Sequence, residues 1–570
     1  MLAASKTLGQ IAAIGGADFG EGFMDLEVPA AVELLQGAEP PRYAGVLILK
    51  ELARNSANYF HSHISLVFDK ILIPLRDSRV MVREGAAELL AACLEIVANR
   101  ERTTRTTYLM KILQDAQLGL KMAQPEVIHG SLLMYRELLL HGDTVSDLPS
   151  FLREDGLVIT GVQFMRESFL DTAEQILRFK SHRDSLVRKM VITLIPTLAA
   201  YDTQTFSEHH LHKSMSHLLT QLEKPNERSF GAPSLRSGLA RFTHWMTAFI
   251  AIGHTATAVS SDMKPFLDSI MVQIKLGLQQ RGYVFPADCI VAPHAWRRKK
   301  NAPSEEPIFQ CVGMLASAVG PNLTKLLHDQ LDLFFACGLS EPLRQALVAI
   351  ARNIPPLLKT IQDRLLDLLS MILIGQSYRV IGAPPALVRS DVTAHPRDLS
   401  GTKTGKSPEL ITLALSTLGS FDFSGKTRGR GTLNRAESGI GHVLNEFVRS
   451  AALPYLEDDN ADVRRAGALT CCKVFMRDPI CYQASSHAIE IISDVLDKLL
   501  TVGIADPGEH SILEQAVFPN IIVQIQPFDR PFSPPCTNAS TNTSPKQKTS
   551  VLSSFPSMTR SLRIVSPPLA

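Results

Sequence analysis

Residues 76–97 read RDSRVMVREGAAELLAACLEIV, in which a turn containing Asp77 is followed by the pair Val82-Arg83 and a long apolar segment. Counting from Val82, apolar residues return at offsets of 4, 7, 8 and 11, which places them on one face of an α-helix. Arg83 therefore falls in the first turn of that helix. A cation is disfavoured there by about 0.3–1 kcal/mol, because the N-terminus of a helix carries partial positive charge.

The same arrangement occurs twice more in the chain. Asp184 precedes Val187-Arg188, and Asp459 precedes Val463-Arg464. The apolar positions that follow the three Val-Arg pairs are Ala86, Leu89, Leu90, Cys93 and Leu94 in the first, Val191, Leu194, Ile195 and Leu198 in the second, and Gly467, Thr470, Cys471 and Val474 in the third, where Thr470 is the weakest member. Three occurrences of one pattern indicate a repeated structural unit.

Each unit also contains a helix before its turn. Helices are predicted around residues 63–77 and 446–460, which lead into the first and third turns. The unit is then helix, Asp-containing turn, Val-Arg and helix, which matches HEAT-type repeats of about 40–47 residues.

The turn aspartates and first-turn arginines form the candidate site. We expect each Asp to cap the second helix by accepting its free N–H groups. Each Arg needs an acceptor of its own, and a carboxylate in the turn of a neighbouring repeat would supply one, so that Asp and Arg form a ladder between repeats. The alternative is three coincidental surface arginines. The predicted ladder consists of Asp77, Arg83, Asp184, Arg188, Asp459 and Arg464.

The rest of the chain up to about residue 508 continues as paired helices. Residues 310–339 and 342–373 are predicted helical hairpins broken at Gly320-Pro321 and Pro355-Pro356, and residues 488–504 have one apolar helix face. No convincing run of alternating strand residues occurs. The predicted fold is all-α: a HEAT-type α-solenoid, which is a superhelix of antiparallel helix pairs, with a disordered C-terminal tail.

Composition shifts divide this solenoid. The predicted divisions are helical repeats over 1–224, an atypical insertion at 225–240, repeats over 241–374, a loop at 375–407, repeats over 408–508 interrupted by an insertion at 426–440, and a divergent, mostly disordered tail at 509–570.

The composition narrows the class of protein. A net charge of +2 over 570 residues gives no global field that would favour nucleic acid as a partner. The eight cysteines are scattered without a C-x-x-C pair, so free thiols in a reducing compartment are expected. The sequence lacks a basic leader followed by an apolar stretch, and it has no apolar run of about 18 residues. A cytoplasmic protein without a transmembrane segment is expected.

Three short motifs could indicate a specific chemical or targeting function. The tripeptide Asp18-Phe19-Gly20 matches the magnesium-binding motif of kinases, but no phosphate loop or catalytic loop accompanies it, so a turn between two helices is preferred. The basic run at 297–300 fits a solvated loop better than a nuclear-import signal. His209, His210 and His212 fit a polar helix face better than a metal site. No catalytic, cofactor-binding or metal-binding residue is predicted.

Several blocks of the sequence resemble the N-terminal HEAT region of target-of-rapamycin (TOR) serine/threonine kinases, and most closely the fungal members. The blocks are IAAIGGADFGEGFMDLEV (11–28), AGVLILKELARNS (44–56), VREGAAELLAACLEIVANRE (82–101), VIHGSLLMYRELLLHG (127–142), KKNAPSEEPIFQCVGMLASAVGP (299–321), LALSTLGSFDFSG (413–425) and LEDDNADVRRAGALTCCKVF (456–475). The resemblance is colinear over most of residues 5–508. It ends before any FAT or kinase domain, which implies a truncated sequence.

The resemblance implies a scaffold that assembles TOR complexes for nutrient-responsive growth signalling. It implies binding to a raptor-type regulatory subunit and other TOR-complex proteins, dimerisation within those complexes, and a cytoplasmic or peripheral endomembrane location such as the vacuole. The chain itself is expected to have no enzyme activity and no cofactor. Two alternatives stay open: a fragment of a serine/threonine kinase whose catalytic part lies elsewhere, and an unrelated HEAT-repeat adaptor or transport scaffold.

Overall fold

The structure is a computed structural model that describes residues 1–98, 102–141, 165–166, 168–223, 235–279, 305–375, 407–423 and 451–477. The chain divides into two compact units, Met1–Asn520 and Ile521–Ala570. All described residues belong to the first unit. The predicted helix at 488–504, the insertion at 426–440, the basic run at 297–300 and the tail at 509–570 lie outside the described residues.

The described secondary structure is helical. The α-helices are α1 Leu2–Ile14, α2 Gly16–Leu34, α3 Glu39–Asn55, α4 Ala57–Phe60, α5 Ile64–Lys70, α6 Leu72–Leu75, α7 Val80–Ala98, α8 Arg102–Leu120, α9 Pro125–His141, α10 Phe169–Leu177 and α11 Ser185–Tyr201. They continue with α12 Thr203–His209, α13 Leu211–Glu223, α14 Leu235–Val259, α15 Leu267–Gln279, α16 Glu306–Val319, α17 Thr324–His328, α18 Leu331–Ala336, α19 Glu341–Asn353, α20 Leu358–Leu373, α21 Pro408–Ser420 and α22 Ala461–Arg477. Short 3₁₀ helices join several of them.

The longer helices stack on one another in chain order. Helix α3 packs between α1 and α7, α9 packs between α7 and α11, and α14 packs between α11 and α16. The stacking continues from α16 to α19 and from α21 to α22. Several of these helices also pack against the helix that precedes them: α3 against α2, α9 against α8 and α21 against α20. Stacked helix pairs without strands among the described residues define a HEAT-type α-solenoid, which confirms the predicted fold class.

The predicted apolar faces form the core of the stack. In α7 the side chains of Ala86, Leu89 and Leu90 are fully buried, and the equivalent positions of α11 are also buried. Thr470, the polar member of the third face, is buried as well. Its hydroxyl oxygen lies 2.7 Å from the carbonyl oxygens of both Ala466 and Leu415, so its one hydrogen has an acceptor inside the core.

Two predicted helices differ from the sequence pattern over the described residues. The helix predicted at 63–77 is divided into α5 and α6, because Pro74 has no N–H to donate to a carbonyl four residues earlier. Of the helix predicted at 446–460, the described part contains a 3₁₀ helix at Leu453–Glu457 that begins beside Pro454. The predicted breaks at Gly320-Pro321 and Pro355-Pro356 are both present.

Helix α14 begins at Leu235, inside the segment 225–240, whose assignment as an insertion stays a prediction. One further detail differs from the predictions. The tripeptide that begins at Asp18 lies within helix α2, whereas a turn was predicted there. The break between α1 and α2 lies three residues earlier, at Gly15.

Candidate functional site

Arg83 is a buried arginine that holds the turn in front of its own helix. Its side chain is 2% exposed. The guanidinium Nη1 donates to the carbonyl oxygens of Asp77 at 2.6 Å and Ser78 at 3.0 Å. Its Nε donates to Nδ1 of His129, on the neighbouring helix α9, at 3.3 Å. One side chain thus closes a turn and contacts the next repeat.

The other two predicted arginines make the same local contacts. Arg188 Nη1 donates to the carbonyl oxygens of His182 at 2.7 Å and Arg183 at 2.9 Å. Arg464 Nη1 donates to the carbonyl oxygens of Asp458 at 2.9 Å and Asp459 at 3.0 Å. In all three repeats the guanidinium bridges the carbonyls five and six residues earlier. We call this arrangement the carbonyl clamp.

The carbonyl clamp uses acceptors that the sequence analysis did not predict. The expected partner was a carboxylate in a neighbouring repeat, and that ladder stays a prediction. The Nη1 hydrogen bonds described above lead instead from Arg83, Arg188 and Arg464 to carbonyl oxygens of their own turns. The reason is geometric: side chains of a helix point towards its N-terminus, so an arginine in the first turn extends over the preceding residues. The carbonyl oxygens there carry partial negative charge, which offsets the unfavourable interaction of the cation with the helix dipole.

A direct Arg–Asp contact between repeats is present, but it uses an arginine that the sequence analysis missed. Arg42, in the first turn of α3, donates through Nη1 to Oδ2 of Asp77, which is 4% exposed. Arg42 also donates to the carbonyl oxygens of Leu35 at 3.0 Å and Gly37 at 2.8 Å. Its turn, QGAEPPR, has neither the Asp nor the Val of the pattern, and only the distance from the helix start could have identified it.

All four arginines lie the same number of residues after the start of their helix. The amide N–H of each bonds to a carbonyl four residues earlier, at the residue that precedes the helix: Ala38 for Arg42, Arg79 for Arg83, Asp184 for Arg188 and Asn460 for Arg464. The four arginines therefore share one position in the helix, whether or not a valine precedes them.

The predicted caps differ among the three turns. Asp184 caps α11, since its Oδ1 accepts from the amides of Leu186 at 2.8 Å and Val187 at 3.1 Å. In the third turn the capping acceptor is Asn460, which accepts from the amides of Asp462 and Val463. Asp459 instead contributes its carbonyl oxygen to the Arg464 clamp. Asn and Asp are equally effective caps, so sequence alone could not choose between adjacent residues.

Arg83 in the first turn of α7 and His129 of α9 form a buried, hydrogen-bonded pair whose pKa values depend on burial and on nearby charges; we call this pair the electrostatic centre. Burial lowers the pKa of Arg83, and the nearby carboxylates of Glu126 and Asp184 oppose that effect. Burial, together with the charge of Arg83, lowers the pKa of His129 from 6.5 to about 4. His129 is therefore neutral near pH 7, and its Nδ1 is free to accept from Arg83. Asp184 links this centre electrostatically to the next repeat.

An open groove of about 460 Å³ lies beside this centre, between the turns in front of α7 and α9. Its lining residues are Arg76, Ser78, Met122, Gln124, Glu126 and Val127. The lining contains a cation, a carboxylate and an exposed methionine, and these residues do not form a catalytic arrangement. The feature is a surface groove between repeats.

His209, His210 and His212 lie at the junction of α12 and α13. His210 is buried beside Phe206, with ring centroids 6.1 Å apart, and burial lowers its pKa. Among the described residues no group of three or more His, Cys, Asp or Glu side chains could hold a metal ion. Nor is any described helix both long and apolar enough to cross a lipid bilayer.

Comparison with solved structures identifies the fold class. Two crystal structures of importin beta superpose with TM-scores of 0.53 and 0.51, each at 13% sequence identity. They match 91% and 92% of this chain and 56% and 58% of importin beta. At this identity the likeness shows the fold alone, which is a HEAT-type helical solenoid. No model of a known protein family matches the chain.

Comparison of sequences is more specific. The chain is 36% identical over 507 residues to the serine/threonine-protein kinase tor1 of Schizosaccharomyces pombe, and 30% identical over 518 residues to the serine/threonine-protein kinase TOR of Arabidopsis thaliana. It is 27% identical over 528 residues to the serine/threonine-protein kinase TOR2 of Saccharomyces cerevisiae. These matches cover 88% to 90% of this chain. The chain therefore corresponds in sequence to a segment of the TOR kinases, which confirms the predicted resemblance.

The matched segment is a small part of those kinases. The chain spans only 18% to 19% of the length of these relatives. That part is their non-catalytic N-terminal region.

Proposed function

We propose that this chain acts as the interaction scaffold of a TOR kinase, and that it contributes protein binding rather than catalysis. The observation that carries the proposal is the match of 88% of the chain to 18% of the S. pombe kinase, in its non-catalytic region. The stacked helix pairs support the same function, because repeat arrays form extended surfaces on which several helices contact one partner.

The proposed partners are a raptor-type regulatory subunit and the other proteins of TOR complexes, including a second TOR protomer. Through them the scaffold serves nutrient-responsive growth control, in the cytoplasm or peripherally on endomembranes such as the vacuole. A stable complex of this kind buries roughly 1,200–2,000 Å² or more. A surface built from consecutive repeats can provide that area without a deep pocket.

Co-purification tests the proposal. The full 570-residue chain is co-expressed with the raptor-type subunit of the same organism, and importin beta serves as a control because it has the fold without the sequence similarity. We expect the subunit to co-purify with this chain and not with importin beta. Failure of the subunit to bind a folded, monodisperse chain would reject the scaffold assignment.

A further inference from the structure

The turn between α10 and α11 is unusually basic. Residues 178–189 read RFKSHRDSLVRK and contain five lysines or arginines against one carboxylate. We call this segment the basic turn. Its charged residues are Arg178, Lys180, Arg183, Asp184, Arg188 and Lys189. The whole chain has a net charge of only +2, so this concentration of charge is local.

Internal hydrogen bonds hold the basic turn in one conformation. Arg188 clamps the carbonyl oxygens of His182 and Arg183, and Asp184 is engaged in capping α11. The amide of Asp184 also donates to Nδ1 of His182 at 3.1 Å. The single carboxylate of the turn therefore faces backbone N–H groups of α11, and the other cations are presented on a fixed backbone.

Three of those cations are available to a ligand. Arg183 is exposed, and Lys180 and Lys189 are half-buried. Within the described part of the chain, none of these three side chains forms an ion pair. Arg178 has an ion pair with Glu174 at 3.3 Å, but both side chains are more than 60% exposed, and such surface pairs are weak.

The positive charge of the turn reaches the helices on both sides. Burial is the main cause that lowers the pKa of His244 on α14, and the charges of Arg188 and Lys189 lower it further. Lys189 also contributes to the lowered pKa of His129 on α9. The cations of the basic turn thus act on both neighbouring repeats.

We propose that the basic turn binds an acidic segment of a partner protein, whose carboxylates pair with Lys180, Arg183 and Lys189. The fixed backbone lowers the entropic cost of binding, since the turn does not have to be ordered by its ligand. Oppositely charged surfaces also accelerate association. A short run of aspartate or glutamate matches a positive surface that is confined to one turn.

Nucleic acid and anionic membranes fit this surface less well. A protein that binds duplex DNA commonly contacts about 6–10 phosphates, which requires a positive surface longer than one turn. A carboxylate also flanks the turn: Glu174 on α10 lies 3.3 Å from Arg178 and would repel an extended polyanion. A short peptide can place its acidic residues away from this carboxylate.

This inference deepens the proposed scaffold function and rests on it, because it names the chemistry of one partner segment. The test contains only the full chain and a fluorescein-labelled poly-glutamate peptide, and binding is measured by anisotropy at low ionic strength. The test variant is the triple charge reversal Lys180→Glu, Arg183→Glu and Lys189→Glu. The matched control reverses three exposed lysines elsewhere: Lys264→Glu, Lys275→Glu and Lys325→Glu.

We expect the reversal in the basic turn to weaken peptide binding about tenfold or more, and the control to weaken it less than about twofold. The charge-retaining variant Lys180→Arg, Lys189→Arg should bind as the unmodified chain does. Equal weakening by both triple variants, or no binding by the unmodified chain, would overturn the proposal. So would tighter binding of duplex DNA or phosphatidylserine vesicles, or displacement of the peptide by inorganic phosphate alone.

The two proposals fail separately. If the unmodified chain does not bind the peptide, the basic turn is not a binding site for acidic segments, and the co-purification of a raptor-type subunit is unaffected. Failure of co-purification, with peptide binding intact, rejects the scaffold function in TOR complexes and leaves the charge recognition in place.

Discussion

An arginine in the first turn of a repeat helix is stabilised by the turn that precedes it. Arg42, Arg83, Arg188 and Arg464 all donate to carbonyl oxygens five to seven residues earlier. Arg344 has the same position in α19, but it pairs with Glu341 in its own helix and donates to the Ser420 hydroxyl of α21 at 3.0 Å. The position is shared, and the local sequence selects the acceptor.

Arg83→Ala should destabilise the α7 region by roughly 1–3 kcal/mol, because it leaves two turn carbonyls and buried His129 without their charged donor. Arg188→Ala is the comparison, since Arg188 is half-buried and should cost about 1 kcal/mol. Hydrogen exchange of peptides covering 76–98 and 182–201 measures both effects. A loss below about 0.3 kcal/mol at Arg83 would mean that it behaves as an ordinary surface residue.

The stability of the α7–α9 contact should decrease as the pH falls from about 6.5 to about 4. His129 has a lowered pKa in the folded chain, so the unfolded chain takes up the proton first and acidification favours unfolding. Between about pH 7 and pH 5 this one group should remove roughly 1–2 kcal/mol. Hydrogen exchange of α9 in the unmodified chain, compared with His129→Gln, isolates this contribution.

The His129→Gln variant keeps an acceptor for Arg83 and removes the titration. Its exchange rates should therefore change less with pH than those of the unmodified chain. Identical pH dependence in both would show that His129 does not carry the effect.

At the scale of the element, helices approach so closely at some points that only glycine fits. A Cβ added to Gly130 of α9 would lie 2.0 Å from the carbonyl oxygen of Leu75, and backbone cannot move aside without displacing α6. In contrast, a Cβ on Gly22 of α2 would meet nothing within 4 Å. These two glycines provide a matched pair.

Gly130→Ala should destabilise the chain by roughly 1–3 kcal/mol, the usual cost of overpacking a core. Gly22→Ala should be neutral or stabilising by up to about 1 kcal/mol, because alanine is the better helix former. Chemical denaturation followed by circular dichroism compares the two. Equal denaturant midpoints of unfolding for Gly130→Ala and Gly22→Ala would contradict the close contact between α6 and α9.

The helices themselves were largely predictable, because each rests on a local pattern. The apolar period of α7 and α11 and the proline breaks at 355–356 depend only on neighbouring residues. The division of α5 from α6 was signalled by Pro74 but was outweighed by the apolar pattern around it. The start of α14 at Leu235 was missed because its first residues are polar and glycine-bearing, which resembles a connection.

At the scale of the molecule, the helices stack in chain order, so we expect a mutation to destabilise mainly the repeats next to it. In a repeat array each unit contacts mainly its neighbours, so a defect spreads over adjacent repeats only. Gly130→Ala should therefore increase hydrogen exchange in α7 and α9 and leave α16 and α19 unchanged. A uniform increase over all four helices would indicate a single cooperative core instead.

The chain as a whole should not transfer phosphate. Phosphoryl transfer needs a phosphate cradle, a metal-binding carboxylate and a catalytic loop in one site. Asp18 lies within helix α2 in the described structure, which is not the loop geometry of a kinase motif. Incubation with labelled ATP, magnesium and a generic protein substrate checks this, with Asp18→Ala as the matched variant. Activity that disappears in the variant would reject the scaffold interpretation.

The sequence by itself determined the helical period, the repeat unit and the likeness to TOR kinases, because these properties are encoded in residue order over short distances. The acceptors of the arginines were decided by the tertiary structure. Arg83 could reach a carbonyl, a histidine or a carboxylate, and only the packing of α7 against α9 placed His129 beside it. The pairing of Arg42 with Asp77 likewise joins residues 35 positions apart. Sequence spacing cannot report such contacts, since they depend on how one helix pair is seated on the next.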